Sequence, residues 1–128
     1  MSPQFDLVGM VVKDMKTALD FYRALGLPIP EGAEKEDHVE CKAAGIRLAW
    51  DTASLIQSID SSWTPPAGGH SISLAFVCAS PAEVDETYAR LTSLGYDGHK
   101  PPFDAFWGQR YATVHDPDSN SVDLFAAL

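Results

Sequence analysis

Two stretches of this 128-residue chain follow one plan, and the repetition limits the possible folds more than any single motif does. The first opens with the short, apolar, β-rich run Phe5-Asp6-Leu7-Val8-Gly9-Met10-Val11-Val12, which predicts a largely buried strand. Asp14 has the chemistry of a helix N-cap. Met15, Ala18, Leu19, Tyr22 and Leu25 then recur at helical spacing, and Gly26 ends the pattern as a closing glycine does. Strands are expected at about 38–42 and 46–50, followed by a long connection from Thr52 to Gly69 that is rich in serine, proline and glycine. The order then returns. A strand is predicted over 71–77, Ser80-Pro81-Ala82-Glu83 forms a capping box, and Val84, Tyr88, Leu91 and Leu94 give an apolar stripe that Gly95 closes. Two further strands, about 110–114 and 121–125, are joined by Asp116-Pro117-Asp118-Ser119-Asn120, with turn residues at every position. The two N-caps lie 66 positions apart and the two closing glycines 69. Strand, helix, then two or three strands thus occurs twice. The alternative is an α+β domain whose halves are alike by accident.

The length suits one compact domain with a real core. An apolar content of 45% and a charged content of 21% are those of an ordinary globular chain. No apolar run approaches a membrane span, and Met1-Ser2-Pro3-Gln4-Phe5 has no basic segment of the signal-peptide kind, so a cytoplasmic location is expected. Cys41 and Cys78 sit in apolar, strand-like stretches and are expected as buried free thiols. A formal charge of -9 disfavours nucleic acid, whose phosphates would be repelled, and says little about a small apolar or cationic ligand.

The pattern Val12-Lys13-Asp14-Met15, Phe21-Tyr22 and Leu25-Gly26-Leu27 resembles the first half of the vicinal-oxygen-chelate (glyoxalase/bleomycin resistance) superfamily. The ending Trp107-Gly108-Gln109-Arg110-Tyr111, Asp116-Pro117-Asp118-Ser119-Asn120 and Asp123-Leu124 resembles its second half, so the likeness spans nearly the whole chain. Ser119 departs from it, because the family usually places glycine there. Within the superfamily, Gly45-Ile46-Arg47-Leu48-Ala49-Trp50-Asp51, Gly69-His70, Tyr96-Asp97-Gly98-His99-Lys100 and Trp107 to Ala112 are similar to the resistance proteins for mitomycin. Those for anthraquinone-fused enediynes look similar as well. The resemblance implies an α+β fold of two βαβββ modules, about 1–60 and 61–128 of a single domain, forming a curved mixed sheet around a cavity. It also implies a homodimer in which the N-terminal module of one chain faces the C-terminal module of the other. Such a protein sequesters an antibiotic and leaves it chemically unchanged.

Metalloenzymes of that superfamily take one ligand from each of four strands. The matching positions here are Leu7, Arg47, Ser73 and Asp123. Leucine has no lone pair, arginine is a permanent cation and serine is a weak ligand, so neither a metal nor another cofactor is expected. His38, His70, His99 and His115 show none of the close spacings that bring two imidazoles to one face of an element.

If alternate strand residues face a cavity, its wall is built from Leu7, Gly9 and Val11, from Arg47, Ala49 and Asp51, from Ser71, Ser73 and Ala75, and from Ser121, Asp123 and Phe125. That wall is mostly small, with a few charged groups, as ligand cavities are. Arg47 and Asp123 either pair with each other or touch the ligand. Trp63, Phe103, Phe106 and Trp107 read as rings in loops at a cavity rim, suited to stacking on a planar ligand or to covering a dimer interface. Trp50 reads as core. In the resembling drug-binding proteins a ring system is held between an imidazole and an indole, and the matching residues here are His38 and Trp107. The expected ligand contacts are therefore His38, Arg47, Asp51, Ser73, Phe103, Phe106, Trp107 and Asp123, with a planar, quinone-like antibiotic as partner. The competing readings are a metal-dependent isomerase, lyase or dioxygenase, and metal-free acid–base catalysis by Asp51, Asp123 or His38.

Overall fold

A computed structural model of the protein describes residues 4–69 and 72–128. The chain divides into two compact units, Met1–Ala67 and Gly68–Leu128. The first contains β1 (Leu7–Val12), α1 (Met15–Ala24), a 3-10 turn at Ala33–Lys35, β2 (His38–Ala43), β3 (Ile46–Thr52) and α2 (Ala53–Ile59). The second contains β4 (Ser73–Val77), α3 (Pro81–Ser93), β5 (Asp97–Ala105), β6 (Gln109–His115) and β7 (Ser121–Ala127). The fold class is α+β, with a mixed three-stranded sheet in order β1-β3-β2 and a mixed four-stranded sheet in order β4-β7-β6-β5.

The helix starts are those expected from the caps. Asp14 accepts the Thr17 backbone N–H at 2.8 Å, and Ser80 accepts that of Glu83 with Pro81 as first helical residue. Glu83 reaches back to the Ala79 N–H at 3.2 Å, one residue before the box position. Gly26 and Gly95 both end their helices at positive φ, 100° and 95°.

Strand pairing aligns the repeat. β1 runs parallel to β3, β4 runs parallel to β7, and β2 and β6 are their antiparallel neighbours. The second unit is a complete βαβββ, whereas the first has no counterpart of β5 among the described residues, and residues 27–37 hold the 3-10 turn instead. Pro28 and Pro30 in that stretch each lack the N–H that a ladder needs.

Two expected loops contain structure. Residues 53–59 of the Thr52–Gly69 connection form α2, because the Thr52 hydroxyl accepts the Leu55 N–H at 3.2 Å and caps a short helical run. The stretch before Gln109, expected to be loop, is the long strand β5. Pro101 and Pro102 sit in it without penalty because β5 is a sheet edge and its register slips between Asp97, Lys100 and Phe103. His99 and Phe103 are therefore strand residues, while Phe106 and Trp107 occupy the tight β5–β6 turn. The strand predicted from Ser71 begins, within the described residues, at Ser73. Ser71 and His70 lie outside those residues.

Each sheet is covered by a helix on one face. In the first unit α1 buries Met15, Ala18, Leu19, Phe21 and Tyr22. They meet sheet residues such as Trp50, whose ring lies 5.4 Å from that of Tyr22, and Met10, whose sulfur accepts the Tyr22 hydroxyl at 3.4 Å. Trp50 is wholly buried, as a core residue should be. In the second unit α3 contributes Val84, Thr87 and Leu91, and the buried sheet residues are Ala112, Val114, Val122, Leu124 and Ala126. Leu94, counted in the stripe from its spacing, is exposed. Both cysteines are free thiols, Cys41 buried and Cys78 only half-buried. Since strand side chains alternate, the opposite sheet faces carry Gly9, Val11, Arg47 and Asp51 in the first unit and Ser73, Ala75, Tyr111, Asp123 and Phe125 in the second.

Candidate functional site

On the open face of the first sheet a chain of charged side chains joins β2 and β3 to the residue just before β1. His38, which starts β2, is the cross-strand partner of Asp51 on β3. Its Nδ1 lies 2.5 Å from Asp51 Oδ1 and its Nε2 2.8 Å from Glu40 Oε2. Glu40 also takes the Arg47 guanidinium, whose other nitrogen is bound by Asp6, just before β1. Glu40 first and then Asp51 raise the His38 pKa above its ordinary value. His38 and then Arg47 lower that of Glu40. Three of the expected site residues, His38, Arg47 and Asp51, thus belong to one network. Glu40 and Asp6, which sequence reasoning did not single out, complete it. The two-residue spacing of His38 and Glu40 was the available signal, since it puts both side chains on one face of a strand.

The open face of the second sheet is aromatic around one carboxylate. Asp123 accepts the Tyr111 hydroxyl at 2.6 Å and the Thr113 hydroxyl at 2.8 Å, both from the adjacent strand β6. Burial first, and then the hydrogen bond to Asp123 and its charge, push the Tyr111 phenol up to about 12. The partners shown for Arg47 are Asp6 and Glu40, and those for Asp123 are Tyr111 and Thr113. Trp107 stands edge-to-face with Phe103 at 6.2 Å, Phe106 at 5.0 Å and Tyr111 at 5.4 Å, and Tyr111 stacks on Phe125 at 6.4 Å. The indole N–H donates to Gln109 Oε1 at 2.8 Å. The Lys100 ammonium lies 4.3 Å from the Phe103 ring centre. Phe106 is 97% exposed and Trp107 49%. The ring cluster thus presents apolar faces to solvent, although Phe103 belongs to a strand and not to a rim loop. Ser73 lies on the exposed side of β4, opposite Ser121.

The register revises one metal position. Asp123 lies opposite Ala75 on β4, and the equivalent place in the first unit, opposite Gly9 on β1, belongs to Ala49 and not to Arg47. The set to be tested against a metal is then Leu7, Ala49, Ser73 and Asp123. Only the last is a strong donor, and its two oxygens are already engaged by hydroxyls. That chemistry does not fit a divalent ion. Among the described residues, no group of three or more His, Cys, Asp and Glu is placed to hold one. His99 and His115 stack at 4.3 Å, but rings lying face to face do not direct their nitrogens at one point.

A family model, the Glyoxalase/Bleomycin resistance protein/Dioxygenase superfamily, matches residues 4–124. Solved structures with the same fold include a glyoxalase/bleomycin resistance protein/dioxygenase from Nocardioides, 24% identical with a TM-score of 0.78, covering 100% of this chain and 85% of that one. A protein of unknown function from Agrobacterium tumefaciens is 25% identical with a TM-score of 0.75, covering 100% and 97%. A lactoylglutathione lyase from the same species is 21% identical with a TM-score of 0.70, covering 98% and 95%. No curated protein sequence matches the chain significantly.

Proposed function

Because the chain belongs to the glyoxalase/bleomycin resistance protein/dioxygenase superfamily, we propose that it is a metal-free binding protein for a planar, quinone-like molecule. In this reading it sequesters an antibiotic and leaves it unchanged, as do the mitomycin and enediyne resistance proteins its sequence resembles. The observation that carries the reading is the aromatic face of the second unit. Phe103, Trp107, Tyr111 and Phe125 form one group of rings beside an exposed Phe106. Rings held this way offer a flat ligand stacking contacts of about 0.5–1.5 kcal/mol each beyond area burial. His38 and Asp51 on the first unit, with the small Gly9 and Ala49 beside them, supply a second flat group and a polar contact. Ser73 and Asp123 stand on the open face of the second sheet with these rings. In the reading's full form the protein is a cytoplasmic homodimer with two equivalent cavities. Among the described residues no helix is long and apolar enough to cross a membrane.

An enzymatic role, as a glyoxalase- or dioxygenase-like isomerase, lyase or ring-cleaving enzyme, is the second reading. It is favoured by the likeness to a lactoylglutathione lyase. The donor set Leu7, Ala49, Ser73 and Asp123 weighs against its metal-dependent form. Titrating the protein with a panel of quinone antibiotics while following tryptophan fluorescence separates the two. Saturable quenching with the drug recovered intact is expected, and turnover of any member of the panel would favour the enzyme.

A further inference from the structure

Hydrogen-bond direction on the open face of the second sheet limits what can bind there. A carboxylate has lone pairs and no proton to give, so both hydroxyls that meet Asp123 must direct their hydrogens at it. Tyr111 does so at 2.6 Å and Thr113 at 2.8 Å. With its pKa pushed up to about 12, the Tyr111 phenol keeps that hydrogen throughout the neutral range. What the cluster has left to offer is lone pairs, on both hydroxyl oxygens and on the carboxylate. Thr113 is buried while Tyr111 and Asp123 are half-buried, so a ligand meets the latter two. The charges around them are engaged elsewhere. Lys100, the cross-strand partner of Thr113, holds its ammonium 4.3 Å from the centre of the Phe103 ring. His115 pairs with Asp97 at 3.0 Å and stacks on His99. Arg110 is bound by Asp85 of α3 and by Asp104. Among the described residues no cation is paired with Asp123.

We propose that Tyr111 and Asp123 form an acceptor-only site beside the ring group, which takes an ammonium group carried by the aromatic ligand and turns away carbonyls and anions. The inference rests on the planar-ligand reading above and names the substituent that the plane must carry. An N–H of the ligand meets lone pairs on Tyr111 and Asp123, and a charged one makes the stronger bond. A carbonyl in the same place would set acceptor against acceptor and leave both desolvated without a partner. The quinone oxygens must therefore lie away from Tyr111. The rings favour the same ligand. Their faces are negative and attract a cation, as Lys100 over Phe103 already shows, and Tyr111 stacks on Phe125 next to the carboxylate. The formal charge of -9 draws cations to the chain as a whole.

Matched anthraquinones test this by calorimetry on the full-length protein, with aminomethyl, hydroxymethyl or carboxylate at the same ring carbon. They put a cationic donor, a neutral donor and an anion on one plane. The amine should bind about tenfold more tightly than the alcohol, and the carboxylate most weakly. In Asp123→Asn the side-chain oxygen accepts one hydroxyl, while the amide nitrogen donates to the other hydroxyl oxygen and frees its hydrogen. The amine preference should then disappear, and the carboxylate should bind more tightly than it does to the wild type. Melting curves check the variant's fold, and the wild-type ranking decides on its own if the variant does not fold. Equal affinity for the matched probes, tightest binding of the carboxylate, or an amine preference unchanged in a folded Asp123→Asn would overturn the inference and leave the planar-ligand reading standing. A protein that binds none of them loses the planar-ligand reading, and this inference with it.

Discussion

At the scale of single residues, Ser119 is a case where sequence and structure agree on a cost. It occupies the turn position where the family usually has glycine, and its φ is 67°. A side chain in the left-handed region costs about 1 kcal/mol relative to glycine. Ser119→Gly is therefore expected to raise stability by about that amount in urea denaturation, and an unchanged or lower midpoint would contradict the strain. The turn itself is held by Asp116, whose carboxylate accepts the Asp118 N–H at 2.9 Å and the Asn120 N–H at 2.8 Å. Trp107 is the residue on which ligand affinity should depend most. As a half-exposed anchor it should cost about 2–4 kcal/mol of affinity when cut to alanine, while the melting temperature changes little because Trp107 lies outside the helix-covered core. Calorimetry of Trp107→Ala with whichever quinone quenches the wild type checks this, and unchanged affinity would remove Trp107 from the site.

Among the elements, the contact of α3 with β5 is the most exacting. The Tyr88 hydroxyl donates to the Gly98 carbonyl at 2.8 Å, and a Cβ built on Gly98 would meet that hydroxyl at 2.3 Å and Thr92 Cγ2 at 2.6 Å. Gly98→Ala is expected to destabilise by about 2–3 kcal/mol through overpacking, and Tyr88→Phe by about 1 kcal/mol through the lost hydrogen bond. Combining Gly98→Ala with Tyr88→Ala should give back part of the first loss, because the clashing hydroxyl is gone. Strict additivity in chemical denaturation would show that the clash is not the cause. The existence and type of α1 and α3 were legible because caps, stripe and closing glycine all agree. The edge strand β5 was hidden because Pro101 and Pro102 mimic a loop, and only its edge position makes them harmless. The short helix α2 was hidden by the prolines and glycines that follow it.

For the whole molecule, the expected species is a homodimer without bound metal, since Leu7, Ala49 and Ser73 cannot act as a ligand set and open sheet faces suit an isologous partner. Native mass spectrometry at micromolar concentration should give twice the 13.9 kDa chain mass and no added metal. A predominant monomer, or about one zinc, nickel, iron or manganese per chain, would contradict the respective part of that expectation.

The repeat and the helices α1 and α3 were written in local sequence, because caps and periodicity act over a few residues. Which side chains share a proton or a charge was decided only by strand register. Pairing β2 with β3 sets His38 beside Asp51, and pairing β6 with β7 sets Tyr111 and Thr113 on Asp123. Those contacts join residues 13, 12 and 10 positions apart. No periodicity within a single strand encodes such a match, because register depends on where two strands begin relative to each other.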